Sequence, residues 1–582
     1  MLIEEIRKDI SRLPKGSISE KHINGKTYYY QRWREDGQLR EKYVPYGSLD
    51  TIREGIRERK ELETELKAMT QKRTIDDYLF SSAIRIGDEL KAFTSSVMRM
   101  RKRSLFSGLR EFIYGDYPDK VLILYGLRRT GKTTMIRQLI SEMTEADFSK
   151  TAYMQILPSC TLADISRDLH QLEKNGYKYV FIDEVTLLSD FIEGAALFSD
   201  IFASSGMKIV LSGTDSLGFM FAEDDELYDR CYMIHTTFIP YREFSFVLGI
   251  DSIDEYIRYG GTMSISGYDY NHGLVFRTKS STDEYIDTAI ARNIQHSLIG
   301  YQNGNHFRAL EELFQKDELT SAINRVVEDM NHRFTIEVLT RDFISSDLSL
   351  SSKNLIKDRS NPNSILEEID IKAVTERLRK MLEIRNSDEQ TVEISDIHTR
   401  EIKEYLEILD LIEEIDVVDI EGVKRKRIIF TQPGLRYAQV ESLIKSLVED
   451  NEMKQLSLIE RKSILERIRN EVKGRMLEDI ILLESKHAYP DCSVFVLQFA
   501  IGEFDMVIAD SENCTCRIFE IKHSKEIHPS QYKHLIDPEK CRLTEHRFGT
   551  ITGKYVLYRG TETVIDDIHY MNSEEYLKSL HD

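Results

Sequence analysis

Residues 121 to 134 carry the clearest chemical signal in this chain. An apolar run, Val121 to Tyr125, leads into the pattern Gly-x-x-x-x-Gly-Lys-Thr, and a helix-compatible sequence follows. In such a loop, glycines let the backbone wrap a polyphosphate, N–H groups supply partial positive charge, lysine reaches the β- and γ-phosphates, and threonine ligates magnesium. The sequence therefore predicts a nucleoside triphosphate site built from these residues: Gly126, Leu127, Arg128, Arg129, Thr130, Gly131, Lys132, Thr133 and Thr134.

A second apolar run ends in two acids that complete this predicted site. Residues 179 to 182 are short enough for a buried parallel strand, and Asp183 and Glu184 follow them, at the edge where such sheets bind ligands. We expect Asp183 to organise Mg²⁺ together with Thr133, and Glu184 to polarise the attacking water. The alternative is that both acids only cap the next helix. The phosphate loop upstream favours hydrolysis.

Two further positions are candidates for contact with the γ-phosphate. Thr214 follows a third apolar run, Lys208 to Ser212, and is the sensor candidate. On local chemistry alone, a turn followed by a helix cap explains that pattern almost as well. Arg230 precedes another apolar run and is the candidate for stabilising charge during phosphoryl transfer, in cis or across a subunit boundary. An ordinary surface arginine is the equal alternative.

Several of these segments together resemble the prokaryotic, archaeal-type AAA-like P-loop ATPases. The resemblance lies in the paired arginines Arg128 and Arg129, the Phe-Ile-Asp-Glu run, the Leu-Ser-Gly-Thr-Asp-Ser segment and the Tyr-Ile-Arg-Tyr-Gly-Gly run that ends at Gly261. It implies ATP as the nucleotide, and it implies a C-terminal restriction-endonuclease-like domain, which many members carry. The chain departs from the family at Thr262 and Met263, where an aromatic residue and a proline are common.

Four C-terminal residues can support nuclease chemistry. Glu478 lies in a helical pattern, Asp505 in an apolar strand pattern, and Glu520 and Lys522 flank Ile521 in the next strand. Strand alternation puts Glu520 and Lys522 on one face. Asp505 and Glu520 can bind Mg²⁺ or Mn²⁺, which acts as a Lewis acid on a phosphodiester, while the lysine stabilises charge or helps activate water.

This order of residues is similar to the PD-(D/E)xK nuclease arrangement, and Gln531 resembles a polar position that often follows it. Two alternatives stay open. The charges are simply solvated on an alternating strand, or the site is an inactive remnant that still grips nucleic acid.

A basic hairpin precedes this region. Helical spacing over Ile371–Leu382 and Thr399–Ile415 leads to two strand patterns, Val417–Ile420 and Lys424–Phe430, around a Glu-Gly turn. The sequence predicts a winged helix, whose basic second strand contacts a DNA backbone or whose surface docks protein. The alternative is that the Lys-Arg run is simply solvated. Near the N-terminus, a second hairpin carries aromatic residues between arginines over residues 28 to 34. These rings stack on bases or form the core of the hairpin.

The predicted fold class is α/β with several domains. They are a hairpin and helix module (1–75), a helical linker (76–115), a P-loop ATPase core with a parallel sheet (116–250), a helical lid or connector (251–365), a winged-helix domain (366–450) and a restriction-endonuclease-like domain (451–582). The length of 582 residues suits three to five domains.

Composition limits the partners. A formal charge of −20 argues against general DNA coating, so DNA contact is expected to be local, at the wing, at Arg99–Arg103 or at Lys522. Six cysteines without paired Cys-x-x-Cys motifs suit a reducing cytoplasm and exclude the usual zinc pattern. No run approaches the roughly twenty apolar residues of a membrane span, and charges follow Met1 too closely for a signal peptide.

Three functions fit this layout. The first is an ATPase whose cycle controls a metal-dependent nuclease on the same chain. The second is a nucleotide-dependent switch or scaffold whose inactive nuclease fold binds DNA or protein. The third is motor-like remodelling, which requires assembly into a homo-oligomer.

Overall fold

The computed structural model describes residues 12–23, 26–35, 38–70, 74–75, 78–188, 190–214, 218–220, 222, 227–263, 279–291, 298, 307–316, 318–341, 394–448, 454 and 457–580. The helix predicted over Ile371–Leu382 lies outside these residues, as do Asp215 and Ser216 next to the sensor candidate.

The N-terminal module is a three-stranded antiparallel sheet followed by a long helix. Its elements are β1 (Ser17–Ile23), β2 (Lys26–Glu35), β3 (Gln38–Val44) and α1 (Leu49–Thr70). The predicted hairpin and helix are present, and β1 is an additional strand. The Tyr43 ring lies 5.7 Å from that of Tyr30 and 6.2 Å from that of Tyr28. These rings therefore pack on one another on the surface of the sheet, where Tyr43 is 50% exposed. A minimal strand pair, β4 (Thr74–Ile75) and β5 (Tyr78–Leu79), follows.

A six-stranded sheet forms the central module. Its strands are β6 (Ala83–Arg85), β7 (Val121–Tyr125), β8 (Thr151–Gln155), β9 (Tyr179–Asp183), β10 (Lys208–Gly213) and β11 (Cys231–His235). The order is β11-β7-β10-β9-β8-β6; the first five are parallel, and β6 pairs antiparallel with β8 at the edge. Both faces are covered, which explains why the strands read as continuous apolar runs.

The stretch predicted as a helical linker, residues 76 to 115, belongs to this module. It supplies β6 and two helices that pack beside the sheet. Three residues are too few to show a strand pattern, so β6 could not be predicted. The helices around the sheet are α2 (Gly87–Ser95), α3 (Phe106–Tyr114), α4 (Lys132–Ser141), α5 (Glu145–Phe148), α6 (Leu162–Lys174) and α7 (Phe191–Gly194).

Helices connect the central module to the C-terminal one. They are α8 (Tyr241–Leu248), α9 (Ile253–Tyr259), α10 (Lys279–Tyr285), α11 (Arg308–Gln315), α12 (Leu319–Arg341) and α13 (Asp396–Ile408). The helix predicted over Thr399–Ile415 ends early, at Ile408. Asp410 has a left-handed φ of 55°, which breaks the helix, and the apolar residues beyond it belong to a strand.

The C-terminal module contains an eight-stranded sheet. Its strands are β12 (Ile412–Asp419), β13 (Lys424–Phe430), β14 (Ser493–Gln498), β15 (Glu503–Asp510), β16 (Thr515–Ile521), β17 (Thr550–Tyr558), β18 (Thr563–Ile565) and β19 (Ile568–Asn572). The order is β13-β12-β14-β15-β16-β17-β19-β18. Its helices are α14 (Pro433–Val448), α15 (Leu458–Ala488), α16 (Pro538–Phe548) and α17 (Ser573–Ser579).

The hairpin predicted as the wing of a separate domain is part of this sheet. Strand β12 pairs in parallel with β14, with Val417 opposite Val496. The predicted boundary between residues 450 and 451 therefore divides strands of one sheet. Local patterns show the hairpin but not its distant partner.

Within the described part of the chain, no helix has the length and apolar character that crossing a bilayer requires.

Candidate active sites

The loop between β7 and α4 is shaped to receive an anion. Gly126 and Gly131 have φ values of 133° and 94°, and a Cβ atom on Gly126 would lie 2.6 Å from Thr236 Oγ1. The Lys132 ammonium donates to the carbonyl oxygens of Gly126, at 2.7 Å, and Leu127, at 2.9 Å. Burial lowers the pKa of Lys132 to about 8. The lysine thus lies over the loop with its charge only partly compensated, as a phosphate-binding lysine should.

Arg103 holds this loop through a hydrogen bond to its backbone. Its guanidinium donates to the carbonyl oxygens of Thr130 and Thr236, each at 2.7 Å, and forms a 2.8 Å ion pair with Glu243. Both charged side chains are 3% exposed. The prediction that Arg103 belongs to a local DNA-binding cluster at residues 99 to 103 is therefore wrong for this residue, because its charge is buried and paired.

Asp183 is the centre of the site. Its Oδ2 atom accepts hydrogen bonds from Thr133 Oγ1 at 2.9 Å and from the Tyr153 hydroxyl at 2.6 Å, while Oδ1 accepts one from Ser212 Oγ at 2.7 Å. Burial and the neighbouring Asp183 raise the pKa of Tyr153, so this hydroxyl stays a donor. Threonine and aspartate, the two predicted magnesium ligands, thus lie in direct contact.

Glu184 lies beside this pair with a strained backbone. Its φ is 59°, in the left-handed region that non-glycine residues rarely adopt. Burial, followed by the charge of Asp183, raises the pKa of its carboxyl, while Lys132, Arg128 and a hydrogen bond from Thr214 lower it. The sensor candidate therefore contacts the predicted general base directly. A carboxylate of raised pKa is the better proton acceptor.

The remaining loop residues surround the same point. Leu127 is buried, and its N–H donates to Thr237 Oγ1 at 3.1 Å. Thr130 Oγ1 bonds the Leu127 carbonyl at 2.9 Å. Arg129 has a left-handed φ of 66°, and Thr134 lies in the first turn of α4. Each helps to hold the curve of the loop or begins the helix that follows it.

Arg230 lies at the wrong end of the sheet for a role in cis. Its carbonyl accepts from the Val121 N–H at 3.0 Å, at the start of β7, whereas the phosphate loop follows the end of that strand. Its guanidinium pairs with Asp200 at 3.0 Å and is 47% exposed. The prediction of a contact with the nucleotide of its own chain does not fit this position.

Sequence reasoning missed Tyr153 and Ser212 as site residues. Ser212 lies near the end of β10 and Tyr153 in the middle of β8, the two strands that flank the strand of Asp183. A polar residue near the end of an otherwise apolar strand was the available signal for Ser212, and Tyr153 gave no such signal.

A second cluster joins β15 and β16. The Lys522 ammonium lies 2.9 Å from Asp505 Oδ2 and 2.8 Å from Glu520 Oε2, and the Ile521 N–H donates to Asp505 Oδ2 at 2.7 Å. Burial strongly raises the pKa of Glu520. Burial opposes ionisation of Asp505 too, but Lys522 and the Ile521 N–H hold the pKa of Asp505 below its usual value.

The two carboxyl groups of this cluster lie against each other. Glu520 Oε1 is buried and accepts no hydrogen bond from an N–H or hydroxyl group, and the Glu520 and Asp505 carboxyl groups hydrogen-bond each other. A buried carboxylate oxygen beside a second carboxylate suits Mg²⁺ or Mn²⁺. In the described residues, no group of three or more His, Cys, Asp or Glu side chains is arranged to hold a metal, so water and backbone oxygens would complete the coordination.

Glu478 lies near this cluster but is held by arginines. Its charge contributes to raising the pKa of Lys522, yet its carboxylate contacts Arg475 at 2.6 Å and Arg427 at 3.7 Å. Gln531 does not face the carboxylates. Its amide donates to the Ser524 hydroxyl and the Glu526 carbonyl and so orders the loop that follows Lys522.

The charges of the basic hairpin are largely balanced. Lys426 lies 2.6 Å and Lys424 3.8 Å from Asp416 on the neighbouring strand, and Arg427 pairs with Asp479. The hairpin's outer surface is therefore a weaker candidate for a DNA-backbone contact than its sequence indicates.

Helix α9 and the residues after it connect the two clusters. At one end, Asp254 lies 3.0 Å from Lys473 Nζ, 3.2 Å from His523 Nε2 and 2.5 Å from Arg559 Nη1. His523 directly follows Lys522. At the other end, the Met263 N–H donates to the carbonyl of Arg129 in the phosphate loop at 2.9 Å.

The fold and the first cluster define an AAA-type P-loop ATPase domain within this chain. A protein family described as AAA domain matches residues 118–245, and a domain of unknown function (DUF6788) matches residues 2–54. The first match covers all of the loop, acid and sensor residues described above.

Comparison with curated proteins gives no match. Similar solved structures include S. cerevisiae Hsp104 in its casein complex, at 15% identity over 27% of this chain and 31% of that chain, with a TM-score of 0.22. Aeropyrum pernix ORC1 in complex with DNA is 13% identical over 64% of this chain and 99% of that chain, with a TM-score of 0.23. The S. cerevisiae Hsp104-ADP complex is 12% identical over 70% of this chain and 50% of that chain, with a TM-score of 0.18. The chain thus spans about a third of the first Hsp104 chain. These TM-scores are too low to support an argument.

The pKa of Lys132 predicts a pH dependence of nucleotide binding. A bound phosphate raises this pKa above its free value of about 8, so binding above pH 8 takes up a proton. Affinity for a fluorescent ATP analogue should fall by up to ~tenfold per pH unit above pH 8. Lys132→Arg, whose guanidinium stays protonated, should give a flat profile. Equal slopes in both proteins would show that another group titrates.

Proposed function

We propose that this chain hydrolyses ATP at the phosphate loop and uses the ATP cycle to control a metal-dependent nuclease in its C-terminal module. The observation that carries the ATPase half is the convergence of Thr133, Asp183, Glu184 and Thr214 beside Lys132. An ATPase needs a metal anchor, a base and a phosphate-binding cation in one place, and these residues supply all three.

Each residue of the first site has a role in this proposal. Thr133 and Asp183 would hold Mg²⁺, which neutralises charge on the phosphates when bound. Lys132 binds the β- and γ-phosphates. Glu184 orients the attacking water and accepts its proton at the carboxylate, while the Thr214 hydroxyl fixes the direction of that carboxylate.

In the second site, Asp505 and Glu520 would hold a divalent cation, which activates a phosphodiester when bound. Lys522 stabilises negative charge on the phosphate once the cation replaces it between the two carboxylates. The contact between the buried Asp505 and Glu520 carboxyl groups supports this assignment, because a divalent cation can take the place of the proton between them.

Helix α9 supports control of one site by the other. A shift of the phosphate loop at Arg129 pulls on Met263, and Asp254 at the far end of the same segment holds His523 beside Lys522. Helix α9 and the four residues that follow it can transmit such a displacement if this segment has two stable positions.

Two observations favour a second function. Lys522 occupies the space between both carboxylates, and arginines hold Glu478. These contacts suit a nucleotide-dependent switch whose C-terminal module binds DNA or protein without cleaving it.

Glu184→Gln should separate ATP binding from hydrolysis. Gln keeps the shape of the side chain but accepts no proton, so phosphate release should fall by roughly 10²–10⁴-fold with binding of the fluorescent analogue retained. Glu173→Gln, a half-buried position on α6 that contacts His170, is the control. Wild-type turnover in Glu184→Gln would remove Glu184 as the base.

Glu520→Gln should abolish both metal binding and cleavage at the second site. The readouts are Mn²⁺ binding by electron paramagnetic resonance, with EDTA-treated protein, and nicking of plasmid DNA. Glu526→Gln, whose side chain is 84% exposed, should behave as wild type. If wild type binds Mn²⁺ but does not cleave plasmid or single-stranded DNA, the switch function is favoured.

Asp254→Asn should uncouple the two sites. We expect ATP hydrolysis to persist while DNA cleavage becomes equal with and without ATP. Asp251→Asn removes a different contact at the same junction, with Lys578 at 2.6 Å, and should retain the ATP dependence. Continued ATP dependence in Asp254→Asn would exclude this route.

A further inference from the structure

A basic cavity lies beside the second site. It has a volume of about 990 Å³ and lies between helices α12, α13 and α15 and strand β13. Eight of the residues that line it are arginine or lysine and three are acidic. Its size falls at the upper end of the range of roughly 300–1,000 Å³ that is typical of ligand pockets.

The cavity wall carries more cations than acids. Arg427 and Arg436 share one carboxylate, that of Asp479, and Lys426 pairs with Asp416. Neither acid lines the cavity. Two other lining cations pair with acids that do line the cavity, Arg333 with Asp329 and Arg475 with Glu337. An anion inside would therefore meet a mixed wall in which cations outnumber carboxylates.

The compensation is also incomplete. Arg425 donates to the neutral amide oxygen of Gln498. Arg436 is buried between the rings of Phe334 and Phe430, and burial lowers its pKa to about 10 even though Asp479 stabilises its charge. Its guanidinium is satisfied within the protein, because it donates to Asp479, Asn331 and the Ile428 carbonyl.

Arg475 links the cavity to the nuclease-like cluster. It lines the cavity, and its guanidinium contacts Glu478 at 2.6 Å and Glu503, two residues before Asp505, at 3.9 Å. Glu478 in turn acts on the charge of Lys522. The arginine therefore forms the wall between the cavity and the carboxylates.

We propose that this cavity binds a short segment of single-stranded nucleic acid, whose phosphates contact Arg425, Arg427 and Arg475 and whose chain continues past Glu478 to Lys522. Guanidinium groups in a fork geometry suit phosphate oxygens. A duplex does not fit a cavity of about 990 Å³, because its major groove alone is about 12 Å wide. The inference rests on the proposed nuclease function for the direction of the strand, but not for its binding.

The test is binding of fluorescein-labelled hexathymidylate to the full chain in EDTA, measured by anisotropy over a range of salt. Arg425→Ala should weaken binding at least fivefold and reduce the slope of log affinity against log salt by ~0.7 for the lost phosphate contact. This variant leaves no buried carboxylate without a partner, because Arg425 bonds a neutral amide.

Lys424→Ala is the matched control. Lys424 neighbours Arg425 on β13, is 64% exposed and does not line the cavity. It should bind the oligonucleotide as wild type does. Equal weakening in both variants would place the strand on the outer surface of the hairpin and overturn the assignment.

Other outcomes separate the cavity from the nuclease. If Arg425→Ala weakens binding but the wild-type protein never cleaves DNA, binding in the cavity is supported and the nuclease function is contradicted. If wild type cleaves while Arg425→Ala binds and cleaves normally, the cavity fails. Two competition results would also contradict binding of a single strand in the cavity. One is displacement of the labelled hexamer by a blunt duplex at the same phosphate concentration, and the other is displacement by a free dinucleotide that is as effective as the unlabelled hexamer.

Discussion

The buried carboxylate of Asp183 is the interaction on which the first site depends. It joins strands β8, β9 and β10 and the start of helix α4 through three hydroxyl donors. A carboxylate taken out of water must be satisfied by such bonds. Those donors come from separate segments of the chain. Their bonds therefore hold the carboxyl ends of these strands together beside the phosphate loop.

Much of both sites could be predicted because the residues occur in local patterns. Each motif is contained in about a dozen consecutive residues: the glycine-rich loop, the acids at the end of β9 and the Glu-x-Lys strand. Tyr153 and Arg103 could not be found in this way, because their partners are distant in sequence. The position of Arg230 could have been predicted from the sequence. Asp183 ends its strand, whereas Arg230 precedes its strand, and in a parallel sheet these two positions lie at opposite ends of the strands.

The boundaries between modules were harder to predict than the sites. Strand β6 is too short to show periodicity, and the parallel pairing of β12 with β14 joins segments almost eighty residues apart. Hydrophobic patterns specify that a strand exists, but partners follow only from tertiary packing. The hairpin that looked like a separate wing is thus an edge of the same sheet as Asp505 and Glu520.

That pairing has a practical consequence for dissecting the protein. A fragment beginning after residue 450 would lack β12 and β13 and would expose the backbone of β14 as an open edge, with apolar residues on both of its faces. Unprotected edges of this kind recruit other chains. A soluble fragment carrying the second site should therefore start before Ile412.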